Sequence, residues 1–156
     1  MTHSNYNRRF RNQKQGNARK PSRKLVCFEL AKVQYAIPIE KVQCVLKEFT
    51  SYGSLTTGQS LVRYHDELIT LIDLSQLLLN NQISEENNYL IVCTLTQTEH
   101  LGIPISKMPK IIEFTEDSFG KIPELYRNGK LPQVVEKVIL TTDGKEIFYL
   151  NLALIN

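Results

Sequence analysis

Sliding the sequence along itself by 66 positions lays Val26, Cys27, Ile37, Pro38, Ile39 and Lys41 on Val92, Cys93, Ile103, Pro104, Ile105 and Lys107. These six identities fall within the 22 positions from Leu25 to Leu46, where chance supplies about one. Between them Tyr35 meets Leu101, Ala36 meets Gly102, Val42 meets Met108, Val45 meets Ile111 and Leu46 meets Ile112, so apolar positions fall on apolar positions. A second echo follows at an offset of 78, where Ile69, Ile72, Asp73, Leu74 and Leu77 meet Ile147, Leu150, Asn151, Leu152 and Ile155. The chain is therefore two copies of one module, which rules out a long solenoid. The growth of the offset from 66 to 78 gives the second copy an insertion of 12 residues, placed most economically in the Pro- and Gly-bearing stretch from Phe119 to Pro132.

The local period inside each copy is two rather than 3.6, which is the signature of strands. Val26, Phe28 and Leu30 alternate, Ala31 to Val33 turn, and Tyr35, Ile37 and Ile39 alternate again, so the module opens on a β-hairpin. Pro38 lacks a ladder donor and belongs near a strand end or an edge. Val42 to Phe49 reads as the next strand, Ser51 to Gln59 as a loop and Leu68 to Ile72 as a compact strand. At Asp73 the pattern turns helical through Leu74, Leu77 and Leu78, with Asp73 and Gln76 spaced as a capping box; Asn151 can cap the equivalent turn. Polar Ile83 to Asn88 separates the copies, and Leu90 to Thr96, Leu101 to Ile105, Lys110 to Phe114, Val134 to Thr141 and Glu146 to Leu150 supply the second set of strands. Each copy thus holds four or five short antiparallel strands and a closing helical turn, a small barrel.

Charge is divided unevenly. Residues 1–24 carry Arg8, Arg9, Arg11, Lys14, Arg19, Lys20, Arg23 and Lys24 with no acid, and the remaining 11 basic and 16 acidic residues leave the rest of the chain net acidic. That opening stretch is too polar to offset the entropy of ordering, so it reads as a disordered arm. As a solubilising tail it needs no ligand; as a binding arm it would take nucleic acid or an anionic membrane through salt-sensitive contacts. There is no spanning apolar run and no signal-type hydrophobic segment, so a cytoplasmic protein is expected. The three cysteines, Cys27, Cys44 and Cys93, form no CxxC pair. Two of them stand at matching places in apolar runs, as small buried hydrophobes do.

No catalytic constellation is present. The sequence lacks a nucleophile elbow, a phosphate-binding glycine loop and an HExxH motif, and His3, His65 and His100 are dispersed. His65, Asp66 and Glu67 read as a solvated turn between strands, and Asp73 as a helix cap. No cofactor, metal or small-molecule substrate is expected, and the chain reads as a non-enzyme.

The order of YAIPIEKVQCVL, then LITLIDL with a short helix, then IVCTL, LGIPISKMPKII and IFYLNLALI resembles the CheW-like domain family over about residues 25–156. The resemblance implies two small five-stranded antiparallel β-barrels packed on each other, the first at about 25–80 and the second at about 89–156, with chain exchange between them allowed. It further implies a non-catalytic adaptor that joins methyl-accepting chemoreceptors to a CheA-type histidine kinase in a two-component, chemotaxis-like system of flagellar or type IV pilus motility. Its receptor groove maps to Val42, Leu90 and Ile111, for which an ordinary core role is the equal alternative. The kinase face maps to the first barrel around Cys44, Arg63 and His65. Arg63, Tyr64, His65 and Asp66 stand where the family reads Asn-Leu-Arg-Gly, and Cys44 stands at an often acidic position. From a different class, a nucleic-acid-binding protein using the basic arm is the competing expectation; the lack of basic-aromatic interleaving on the strands counts against it.

Overall fold

A computed structural model describes residues 21–54, 60–74, 78, 88–124 and 132–155. It holds twelve strands: β1 (Ser22–Leu30), β2 (Val33–Pro38), β3 (Val42–Leu46), β4 (Ser51–Ser54), β5 (Ser60–Tyr64), β6 (Glu67–Leu71), β7 (Tyr89–Thr94), β8 (His100–Ile105), β9 (Lys110–Thr115), β10 (Phe119–Lys121), β11 (Val135–Leu140) and β12 (Glu146–Leu150). Alternating apolar side chains build the opening hairpin as expected. It closes through Ala31 and Lys32, both left-handed with φ of 51° and 68°, so that the turn twists with its strands.

The strands form two six-stranded sheets, β10-β11-β12-β2-β1-β9 and β3-β7-β8-β6-β5-β4. Replacing each strand of the first copy by its counterpart six places on converts the second order, read backwards, into the first. The repeat is thus a pseudo-two-fold, but the sheets do not follow the boundary near residue 80. Each sheet takes four strands of one copy and the opening hairpin of the other. The joins are parallel: Thr70 and Leu71 of β6 lie beside Leu101 and Gly102 of β8, as Phe148 and Tyr149 of β12 lie beside Tyr35 and Ala36 of β2. Offsets of 78 and 66 carry one join onto the other, so both echoes of the sequence correspond to equivalent backbone there.

The first sheet curls into an open barrel, the first barrel, which draws four of its six strands from the second copy. β3 to β6, expected in the first of the two barrels, belong instead to the second barrel. β9 and β10 lie at opposite edges of the first sheet yet are connected by only the 3-10 turn Glu116–Ser118. Arg23 of β1 closes the curl, with its guanidinium 5.3 Å from the Phe119 ring of β10 and 5.0 Å from the Tyr149 ring of β12. The same group donates to the Tyr149 hydroxyl and lies 3.8 Å from Glu116. Four strand spacings, about 19 Å on a flat sheet, have been folded back to side-chain reach.

Among the described residues the apolar side chains gather in three clusters. Val26, Phe28, Tyr35 and Ile37 meet Ile91, Cys93, Leu101 and Ile103 in a central cluster shared by both sheets. On the opposite face of each hairpin, Leu25, Cys27 and Ala36 join Ile139, Ile147 and Tyr149 inside the first barrel, while Leu90 and Val92 join Val62, Ile69 and Leu71 inside the second. Because both faces of these hairpins are covered, their strands read as nearly continuous apolar runs.

Several expectations change. Each sheet has six strands rather than five, because β4 occupies Ser51–Ser54 and β10 occupies Phe119–Lys121, stretches that read as a loop and an insertion. Both are short and polar, and their pairing with β5 and β11 makes them strands. Most of the insertion falls between β10 and β11, at 122–134, against 55–59 in the first copy. Structure begins before the composition break: Ser22, Arg23 and Lys24 pair with β9, whereas residues 1–20, and with them most of the arm, lie outside the described residues. Cys27 and Cys93 are not equivalent. Phe28 pairs with Tyr35, and Cys93 pairs with Leu101; Tyr35 and Leu101 are 66 apart, but Phe28 and Cys93 are 65 apart. The second hairpin's turn is one residue longer, and that shift swaps faces, placing Cys27 in the first barrel and Cys93 in the shared cluster. Asn151 does cap its turn, accepting from the Ala153 amide at 3.1 Å; Gln76, Leu77 and the stretch 81–87 lie outside the described residues.

Candidate partner-binding surfaces

The three residues mapped to a receptor groove have different fates. Ile111 sits on the edge strand β9, directly opposite Val26, so its side chain lies on the face of the first sheet that carries the shared cluster. There it is 64 % exposed, with Met108 also exposed nearby in sequence. Val42 starts the edge strand β3 opposite Cys93 and packs, half-buried, against the same cluster from the second sheet. Leu90 is fully buried. It lies opposite Leu46 and Pro104 inside the second barrel, so closely over Gly102 that a Cβ there would meet its Cδ1 at 3.0 Å. Leu90 points to the opposite face of β7 from the shared cluster, into the second barrel's interior. Val42 and Ile111 remain as half-covered and open positions on equivalent faces of the two sheets.

Cys44, Arg63 and His65 are arranged around Tyr64. The Cys44 thiol donates to the Tyr64 hydroxyl at 3.7 Å, and the His65 ring, in the β5–β6 turn, lies 4.2 Å from the Tyr64 ring and tilted by 50° to it. The Cys44 hydrogen bond, followed by burial, pushes the Tyr64 phenol above its ordinary 10.0. Tyr64 packs into the second barrel, and strand alternation sends Arg63 to the other face. There Arg63 lies opposite Leu68, which is 55 % exposed, on a surface that includes Tyr52 at 47 %. Glu48, Phe49, Thr50, Tyr52 and Arg63 line a hollow of about 520 Å³. The mapped residues therefore divide: Cys44 and His65 flank one tyrosine, and Arg63 joins an outward apolar patch. Leu68 and Tyr52 escaped the motif-based mapping. The available signal was alternation, because in Glu67–Leu71 the buried positions are Ile69 and Leu71 and Leu68 must face away.

Burial pushes the Cys27 thiol up to about 11 and, with the neighbouring Cys44, pushes Cys93 up to about 12, so neither is a nucleophile near neutral pH. Among the described residues no three His, Cys, Asp or Glu side chains are grouped to hold a metal ion, and no helix is long and apolar enough to cross a membrane.

Residues 24–156 match the sequence model of the CheW-like domain. Among solved structures, the chain is similar to the scaffolding protein TtCheW from Thermoanaerobacter tengcongensis, with a TM-score of 0.70 at 19 % identity, over 84 % of this chain and 90 % of that one. No curated protein matches the sequence.

Proposed function

The chain belongs to the CheW-like domain family, and from that premise we propose that it is a non-catalytic adaptor coupling methyl-accepting chemoreceptors to a CheA-type histidine kinase. One observation carries the reading: two exposed apolar surfaces lie on different sheets, Ile111 on the edge of the first and Tyr52 with Leu68 on the second. An adaptor needs two faces that partners occupy together. A receptor's helical hairpin offers apolar anchors at helical spacing, to which Ile111 and the half-covered Val42 are suited. A kinase regulatory domain would take the second sheet, with Arg63 as the charged member of its patch and Cys44 and His65 holding the adjoining turn through Tyr64. Such a protein works in the cytoplasm at receptor arrays, and its output is another protein's kinase activity, directed at flagellar or type IV pilus motility.

Calorimetric titration of the full chain and of residues 21–156 with the regulatory domain of a CheA-type kinase from the same genome tests the kinase half. Micromolar binding by both, weakened at least tenfold by Leu68→Asp, is expected. Ile111→Asp is expected to leave kinase binding and thermal unfolding unchanged and to abolish co-sedimentation with receptor-bearing membranes. Kinase binding that survives Leu68→Asp, or unfolding of Ile111→Asp, would refute these assignments.

A further inference from the structure

The two barrels are built by equivalent residues, but their mouths end differently. In the second barrel the mouth is filled. Tyr64, Cys44, Leu46 and Phe49 pack onto its internal cluster, and the Tyr64 ring lies 5.9 Å from that of His100. The registers identify the counterparts in the first barrel. Ile112 lies opposite Leu25 as Leu46 lies opposite Leu90, which matches Lys110 to Cys44. Thr141 continues the β11–β12 ladder by donating to the Lys145 carbonyl at 2.9 Å, in the place where Tyr64 pairs with Glu67. Gln34 stands where His100 stands, 66 positions apart.

All of these counterparts line one cleft. Gln34, Lys110, Ile112, Phe114, Thr141 and Ile147 border a space of about 860 Å³, and Ile112 is 36 % exposed where Leu46 is packed. A hydroxyl-tipped aromatic ring has been replaced by the short Thr141, and its thiol partner by the cation Lys110. The seat remains without its ring.

Charge specifies the flanks of an occupant. Of the acids on the rim, Glu29 is held by Lys107 at 2.8 Å and Asp143 lies 3.9 Å from Lys145. Lys32 and Lys110 also border the cleft and form no ion pair among the described residues; Glu146 is the remaining acid. Counting Lys107, the lysines outnumber Glu29, Asp143 and Glu146 by one, so the rim carries a slight positive charge, with Lys32 also acting on Glu29. We infer that the mouth of the first barrel is a docking seat for a partner segment that inserts an aromatic side chain, in the manner of Tyr64, between acidic neighbours that meet Lys32 and Lys110. This surface is separate from Ile111 and from the Tyr52–Leu68 patch, and the inference stands whether or not the partners proposed above are correct.

The test is amide NMR of the isotope-labelled full chain with the capped tripeptide acetyl-Glu-Tyr-Glu-amide and with its Glu-Ala-Glu control. Millimolar binding of the tyrosine peptide is expected, with shifts at Gln34, Ile112, Phe114, Thr141 and Ile147, and at least tenfold weaker binding of the control. Thr141→Tyr supplies the missing ring from within and is expected to abolish binding by the folded protein. The accompanying loss of the Thr141 hydroxyl, which donates to Asp143 Oδ1 and accepts from the Lys145 amide at 2.9 Å, is expected to lower the unfolding temperature. Lys110→Glu is expected to weaken binding at least fivefold while sparing the fold. Absence of shifts with the tyrosine peptide, equal binding of the control, or undiminished binding by a folded Thr141→Tyr protein would overturn the inference. So would movement of these amides with protein concentration alone, which would assign the seat to a second copy of the chain.

Discussion

β3 and β9 occupy equivalent edges of equivalent sheets, yet they meet solvent differently. Val45 and Leu46 on β3 are partly covered, one by the shared cluster and the other by the second barrel's interior, whereas their counterparts Ile111 and Ile112 on β9 stand exposed. Backbone topology cannot account for this, since the two sheets have one strand order. On the barrel face side chains do: Phe49 and Tyr64 pack with Leu46 on the second barrel's interior cluster, whereas Ile112 stays exposed on β9. A duplicated module has kept its hairpins for the common core and left its edges and mouths to diverge.

Substitutions that separate core from edge break or sharpen this contrast most strongly. Leu90→Ala empties a fully buried site and is expected to cost about 2–5 kcal/mol, with Leu25→Ala, its equivalent in the first barrel, in the same range. Ile111→Ala is expected to stay within about 0.5 kcal/mol, and Val45→Ala to fall between. Chemical denaturation of the four variants provides the measurement; a costly Ile111→Ala would mean that β9 is covered after all.

The thiols come next. A raised folded-state pKa means that the folded chain holds its proton more tightly, so the associated stability is complete below the ordinary thiol value of 9.0 and is lost as pH rises through about 11 for Cys27 and 12 for Cys93. Within that window each thiol costs about 1.4 kcal/mol per pH unit, and the buried Tyr35 and Tyr149 phenols, also raised, act in the same direction. Melting temperature should therefore fall above pH 9.0, less steeply in Cys93→Val. At neutral pH a thiol reagent should label Cys44 alone at once. Cys27, in the barrel with the open mouth, should follow before Cys93.

A smaller effect is expected at the first barrel's seam. Arg23→Ala removes a cation from two aromatic rings and a donor from Tyr149, about 1–3 kcal/mol together. At the matching position of the second hairpin stands Asn88, which is exposed, and Asn88→Ala should cost nothing measurable. If hydrogen exchange at β10 were unaffected by Arg23→Ala, the seam would be closed by something other than this clamp.

How far the sequence disclosed this architecture depends on what each signal measures. Side-chain identity revealed the duplication, and alternation revealed the hairpins, because both are local. Exchange of the hairpins was not readable, since the parallel joins β6–β8 and β2–β12 unite segments far apart in sequence, and either pairing would satisfy the pattern. β4, β5 and β10 escape the pattern for a different reason: β4 and β10 are four and three residues long, and β5 buries only Val62 completely. Leu90 and Ile111 looked alike as apolar strand residues. When a strand is apolar on both faces, as β7 is, period cannot tell which face a side chain takes, and a one-residue difference in a turn decides it. The same limit applied to Cys27 and Cys93, whose alignment was correct as sequence and displaced by one as structure.

The smallest expected effect tests that displacement directly. Glu29 stands near the end of β1 where Thr94 stands on β7, and the two hairpins hold these positions by different means. Glu29 accepts from Lys107 at 2.8 Å and from Gln34 at 2.9 Å, whereas Thr94 donates to Gln43 at 3.3 Å. The Lys107 hydrogen bond is the chief cause that holds the Glu29 carboxyl below its ordinary 4.5. A lowered folded-state pKa contributes stability that is present above that value and is lost as pH falls through the folded one. The pair is largely solvated, so Glu29→Gln is expected to cost about 0.5 kcal/mol or less at neutral pH and nothing in acid. Thr94→Ala should show no such dependence on pH. A pH-dependent loss in both variants would mean that the two hairpins are fastened by the same kind of interaction, and that the extra residue in the second turn altered the facing of the strand without altering how it is held.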